Sequence, residues 1–175
     1  MTKMLPIAQL GADVIRQIAE SVADINSVEI QTLIDSLMHT CRESKGMGIA
    51  APQVYQSKRI FIMSSHPNER YPYAPIMEPL AIINPKITWQ SKEIEKDWEG
   101  CLSLPGVRAL VPRHTTINVS YINREGVSVD TGYDGFLARL FQHELDHLNG
   151  KVFIDRVDST LDIVMEKEFQ RILAN

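Results

Sequence analysis

Only two cysteines occur in the 175 residues, so no disulfide framework organises the fold. No apolar run approaches the ~20 residues that a membrane span requires. The opening Met1-Thr2-Lys3-Met4-Leu5-Pro6 lacks the apolar core of a signal peptide and the arginine-rich pattern of a transit peptide, so the expected location is cytoplasmic. A surplus of positive charge is also missing. The formal net charge of −4 gives no nucleic-acid signal, because tracking phosphates needs a basic surface. Repeats and low-complexity tracts are absent, and the length suits one domain spanning 1–175.

What is present reads as an α+β protein. Residues 1–27 are mixed, with at most a short helix near 13–19. Ile30, Leu33, Ile34, Leu37, Met38 and Cys41 form one stripe, which predicts an amphipathic helix over 28–43 ending at Lys45-Gly46. Cys41 continues that stripe and reads as a small core residue. Strands are expected at 59–64, 80–83, 87–90 and 92–97, with 65–79, which carries four prolines, as a long loop. Ile117, Val119 and Tyr121 alternate on one face, and Asn123-Arg124-Glu125-Gly126 closes a hairpin onto Val127 and Val129. A helix over 136–149 stops at Gly150. A last helix is expected from about 158–160, with Ser159 as N-cap and Leu161, Met165, Phe169 and Ile172 as its packing stripe. Hairpin connections predict antiparallel sheets packed around the central 136–149 helix, which is flanked by an N-terminal-half helix and a C-terminal helix.

Gln142-His143-Glu144-Leu145-Asp146-His147 carries the chemistry. At i and i+4 of a helix, both imidazoles project from one face, and Glu144 can reach a water beside a metal. A catalytic metal needs three protein ligands and an open position. Cys101, in a glycine-flanked segment with no helical stripe, is the candidate third ligand. Amide hydrolysis also needs donors for the developing oxyanion, and the Leu102 backbone N–H and the Gln53 side-chain amide qualify. The glycines of Gly46-Met47-Gly48 permit close backbone approach, but they lack the context of a phosphate loop. His39 reads as a helix-end residue, and His66 and His114 as loop residues.

Three segments, Gly46-Met47-Gly48-Ile49-Ala50-Ala51-Pro52-Gln53, Glu99-Gly100-Cys101-Leu102-Ser103 and Gln142 to His147, resemble in order and spacing the signature motifs of the peptide deformylases. The similarity extends through Pro105, Arg108, Val111-Pro112-Arg113, Leu148 and Gly150. The resemblance implies a hydrolase that removes the formyl group from N-formylmethionine on nascent polypeptides. It implies one divalent metal on Cys101, His143 and His147, usually Fe(II) and replaceable by Zn, Ni or Co. A metal-activated water would attack the formyl carbon, with Glu144 as general acid/base and Gln53 and the Leu102 amide as oxyanion donors. It further implies main-chain binding of the peptide at Gly48. Phe136, Leu140, the edge of His143 and Met47 would form the methionine pocket.

Arg108 is expected either to meet the peptide or to sit exposed on the surface, and Glu99 and Arg113 to orient a ligand histidine or the Cys101 loop. Met47 and Arg139 depart from common family usage, which bears on pocket size. The C-terminal helix mixes charges, so a docking role at the ribosome is not readable from it. Two alternatives stand beside this reading. One is a zinc endopeptidase built on the same His-Glu-x-x-His spacing. The other is a silent metal-binding module.

Overall fold

A computed structural model describes residues 3–174. Five strands, β1 (Gly48–Ala50), β2 (Ile60–Met63), β3 (Leu80–Gln90), β6 (Thr116–Ile122) and β7 (Ser128–Asp134), form an antiparallel sheet in the order β1-β2-β3-β6-β7. A second sheet has the order β4-β5-β8, from Ile94–Cys101, Leu104–His114 and Ile163–Met165. Helix α1 spans Val28–Glu43, α2 spans Gly135–Leu148 and α3 spans Glu166–Leu173.

The larger sheet is covered on both faces, and its central residues show how. In β2, Ile60 and Ile62 join Ile30, Ile34, Leu37 and Cys41 of α1 in one core cluster. Phe61 and Met63 point the other way, to Ala138, Phe141 and Leu148 of α2. Strand alternation therefore feeds two cores from four consecutive buried residues. Ile117, Val119 and Tyr121 all face α2, as their alternation predicts. A third cluster joins Leu104, Ala109 and Val111 of β5 to Val152, Phe153 and Ile15. Helix α2 thus lies between the two sheets, which is what lets it meet residues from both.

Several expectations need correction. The strands expected at 80–83 and 87–90 are one strand, which continues past Pro85 through register shifts. A proline is tolerated at such a bulge. Asn84 adopts φ 51° there, and its side chain bonds both the N–H and the C=O of Val22. Strand β4 runs on to Cys101, beyond the expected end at 97. All of β5 was unanticipated, and His114 is its last residue, not a loop residue. The expected C-terminal helix is divided into a 3-10 turn at Thr160–Asp162, strand β8 and α3. Of its supposed stripe only Phe169 is buried, while Leu161 is 89% exposed. Ile163 and Val164, β-branched, pair instead with the edge of β5. The short helix near 13–19 is a 3-10 turn, Asp13–Arg16. Helix α1 has the expected bounds, with Ser27 as its N-cap. Helix α2 ends one residue before the expected limit, and Gly150 follows at φ 68°.

Candidate metal centre

Helix α2 places His143 and His147 one turn apart, with ring centroids 5.2 Å from each other. Cys101 comes from the other side, at the end of β4, where a two-residue turn, Leu102-Ser103, leads back into β5. The register slips between Glu99 and Cys101, and β5 bulges around Gly106 at φ 78°. That irregularity aims the Cys101 side chain at the helix. Its sulfur lies 3.2 Å from His147 Nε2, and the three ligand atoms are all within 4.8 Å of one another. One thiol and two imidazoles suit a divalent ion of borderline softness, with a position left open.

The polar groups around the cluster are arranged for that role. His143 Nδ1 is 2.8 Å from Glu99 Oε2, which leaves Nε2 free to face the sulfur. Burial pushes the Cys101 thiol up, but the His147 and His143 imidazoles outweigh it and hold the thiol well below its ordinary range. Burial likewise pushes the Glu144 carboxyl up, to about 7, against the pull of the same imidazoles. Glu144 Oε2 and His147 Nδ1 are buried and find no hydrogen-bond partner among the described residues. A buried carboxylate oxygen without a partner is costly unless a ligand or water completes it.

Gln53 sits in a 3-10 turn directly after β1. Its Oε1 accepts the Ala50 N–H at 2.8 Å, so its Nε2 is turned to Ser103 Oγ at 3.1 Å and to the Cys101 sulfur at 3.4 Å. Strand β1 lies at the edge of its sheet. The Met47 C=O accepts from Ser64 N–H at 2.8 Å, so antiparallel alternation turns the Gly48 N–H and C=O off that edge. Gly48 touches Glu144 so closely that a Cβ there would stand 2.4 Å from Oε1.

A cleft of about 380 Å³ opens from this point. It brings together Met47, Gly48, Gln53, Cys101, Leu102, Arg108, Phe136, Leu140, His143 and Glu144. His147 lies behind them, buried. The loop between β2 and β3 forms one wall, where Tyr71 packs against Phe136 with centroids 5.2 Å apart. Arg108 is not the exposed surface residue that was one of its two expectations. It is 8% exposed, pairs with Glu166 at 2.6 Å, and lies flat on Gly100, where any Cβ would collide with its guanidinium.

The ion-pair network behind the ligands was only partly foreseen. Glu99 and Arg113 do support the centre, with Arg113 bonding both oxygens of Glu99 at 2.9 and 3.0 Å. Burial disfavours the Glu99 charge, yet Arg113 and His143 hold its carboxyl far below the usual range. Arg139 was expected to alter the pocket. It lines the cleft while largely buried, bonding Glu99 Oε1 at 2.9 Å and the Val111 C=O at 2.7 Å. Asp146, unassigned from the sequence, joins Arg113 at 2.6 Å to Arg156. The readable signal was spacing, since Arg139 lies four residues before His143 on the same helix. Ser103, fully buried against Gln53, was also unassigned.

The sequence profile of the polypeptide deformylases matches residues 4–162. The chain is 53% identical over 171 residues to peptide deformylase 2 of Nostoc sp., covering 98% of this chain and 96% of that protein. It is 44% identical over 166 residues to peptide deformylase 2 of Shewanella oneidensis, covering 95% and 91%. The crystal structure of class I type b peptide deformylase from Acinetobacter baumannii with Met-Ala-Ser superposes with TM-score 0.88 at 44% identity, covering 90% of this chain and all of that one (100%). The peptide deformylase of Thermotoga maritima superposes with TM-score 0.80 at 36% identity, covering 90% and 99%.

Proposed function

This chain belongs to the polypeptide deformylase family, and from that membership we propose a division of labour among its cleft residues. It is a metal-dependent hydrolase that removes the formyl group from N-formylmethionyl nascent peptides. The endopeptidase and silent-module alternatives give way to that membership.

Cys101, His143 and His147 hold the divalent metal. When bound, it supplies Lewis acidity beside the formyl carbonyl and makes water acidic enough to ionise near neutral pH. Fe(II) is the proposed native ion, with Zn, Ni or Co able to replace it, because a mixed thiolate and imidazole set accepts all four. Glu144 takes the proton of the attacking water and delivers it to the departing α-amine. Gln53 Nε2 and the Leu102 N–H donate to the oxyanion that develops on the formyl oxygen.

The peptide lies extended along the β1 edge and bonds the main chain of Gly48. Met47, Phe136 and Leu140 receive the methionine side chain, and Arg108 borders the path of the following residues. The chain acts as one domain over 1–175, since the site draws ligands from α2 and from the sheet that β8 completes near the C-terminus. Its place of action is the cytoplasm, where formylated chains emerge. No helix among the described residues is long and apolar enough to cross a membrane.

One observation carries this assignment. A buried, unpartnered Glu144 oxygen, the three-ligand cluster and the free edge of Gly48 meet at one end of the same cleft. The test is formate release from formyl-Met-Ala-Ser after anaerobic purification, with metal analysis of the same sample. Loss of activity in air supports Fe(II); air-stable activity in a zinc-loaded native sample overturns that choice. Glu144→Ala should keep its metal and lose turnover, and near-native turnover would remove Glu144 from the mechanism.

A further inference from the structure

The lining of the cleft includes a charge cluster in which one carboxylate serves two guanidinium groups. Glu166 Oε2 lies 2.6 Å from Arg108 Nε, and Glu166 Oε1 lies 3.7 Å from Arg70 Nε. Arg108 belongs to β5 and Arg70 to the loop on the opposite wall, and all three residues line the cleft. Among the described residues, Glu166 is the only carboxylate within ion-pair distance of either arginine.

Glu166 is held there by structure, not by chance contact. Strand β8 pairs with β5 in the register Val107↔Met165 and Arg108↔Val164, which delivers the next residue, Glu166, beside Arg108. Helix α3 then begins, and its single buried side chain, Phe169, packs on Trp98 at 5.1 Å and under the Arg108 guanidinium at 5.7 Å. Gln170 Nε2 donates to Glu166 Oε1 at 2.9 Å, which fixes the carboxylate.

Two arginines with one carboxylate leave a local charge of +1, and Lys45, exposed on the same cleft, adds another. Without Glu166 the cleft would present two unpaired guanidinium groups to the peptide, with the Lys45 ammonium elsewhere on its lining. Nascent polypeptides share formyl-methionine and a main chain, but not the charge of the residues that follow. We propose that Glu166 is a specificity-determining residue. It occupies Arg108 and Arg70 as an internal stand-in for an acidic substrate side chain and keeps the cleft tolerant of charge downstream of methionine. The inference deepens the deformylase assignment and rests on the peptide running from Gly48 towards Glu166.

The test is a panel of formyl-Met peptides in which one Glu or one Lys is scanned through the second to fourth positions. The readout is the ratio of kcat/KM for the Glu peptide to that for the Lys peptide. In the unmodified enzyme this ratio should stay within about threefold of one. In Glu166→Gln it should rise about tenfold at the position that reaches the arginines, through KM and not kcat. The rise should shrink in 0.5 M salt, since exposed charges are screened. Glu166→Asp keeps the charge and should restore the original ratio. An unchanged ratio in Glu166→Gln overturns the proposal, as does a loss shared equally by all peptides in both variants, which would mark Glu166 as packing only. Absence of formate release from every peptide by the metal-loaded unmodified enzyme would overturn the deformylase assignment itself, a result distinct from a flat ratio.

Discussion

Glu99 reaches His143 Nδ1 at 2.8 Å with one oxygen, while Arg139 holds the other at 2.9 Å. The histidine is thereby fixed in the tautomer that points Nε2 at the metal position, and the carboxylate is the counter-charge for two buried arginines.

Replacing Glu99 by Gln keeps an acceptor for His143 but removes that counter-charge. Arg113 then retains Asp146, and Arg139 is left with backbone carbonyls alone. We expect stability to fall by about 3–5 kcal/mol, the usual result of breaking a buried pair from one side. Metal affinity should fall by about 10–100-fold. Denaturant unfolding and competition with a chelator measure the two effects; native-like metal affinity would refute the orienting role.

Gly48→Ala should abolish most activity while leaving the metal bound. The new Cβ would sit 2.4 Å from Glu144 Oε1, and the contact continues along that side chain at 2.8 and 3.0 Å. Either the carboxylate or the strand must move, and a displacement of about 1 Å can cost about a hundredfold in rate. Single-turnover kinetics with metal analysis will show it, and a rate within threefold of normal contradicts the close approach.

The two thiols should separate cleanly after metal removal. Cys101 is held well below the ordinary thiol range by the imidazoles of His147 and His143, which overcome its burial. Cys41 is buried in the α1 core, its thiol pushed up to about 12 by that burial and further by Glu144. Iodoacetamide at pH 7 should modify Cys101 in the stripped protein, spare it in the metal-loaded protein, and spare Cys41 in both. Peptide mapping by mass spectrometry reads this out. Equal modification of both cysteines would count against it.

Asp155 gives a pH signature of folding. Burial pushes its carboxyl up more than any other single cause, but the Arg16 guanidinium and the Val152 N–H together outweigh it and hold the carboxyl below the usual range. A depressed folded value means stability that is present above the ordinary aspartate range and lost as pH falls through the folded value. Arg16 and Asp155 are 45% and 32% exposed, so screening limits the contribution to about 1 kcal/mol or less. Asp155→Asn should therefore be less stable at pH 7, and the gap should close in acid. A gap that is constant with pH would place its origin in packing.

The helices were legible because their apolar stripes are local, as in Ile30, Ile34 and Leu37. The same reasoning failed wherever a distant partner decides the outcome. Pro105, Gly106 and Pro112 hide β5, because only its pairing with β4 reveals it as a strand. Beyond Ala109 that strand has a neighbour on one side only, the place where a proline such as Pro112 is tolerated. The spacing of Leu161, Met165 and Phe169 imitates a helix stripe, yet the edge of β5 recruits Ile163 to Met165 as a strand. The metal cluster was legible because two ligands and the base lie on one turn and the third stands in a conspicuous glycine-flanked segment. The ion pairs that tie the helix to the sheet behind it, Glu99 with Arg139 and Arg113 with Asp146, join residues 40 and 33 positions apart and exist only once α2 packs on β4 and β5.

Strand β1 turns its outer edge to the cleft and leaves the main-chain groups of Gly48 unclaimed by its neighbour. An enzyme that receives its substrate as one more strand can read only a terminus that is not already paired or tucked into a fold. The edge therefore acts as a clock. It confines the reaction to the interval between emergence of the first residues and the moment they find partners of their own.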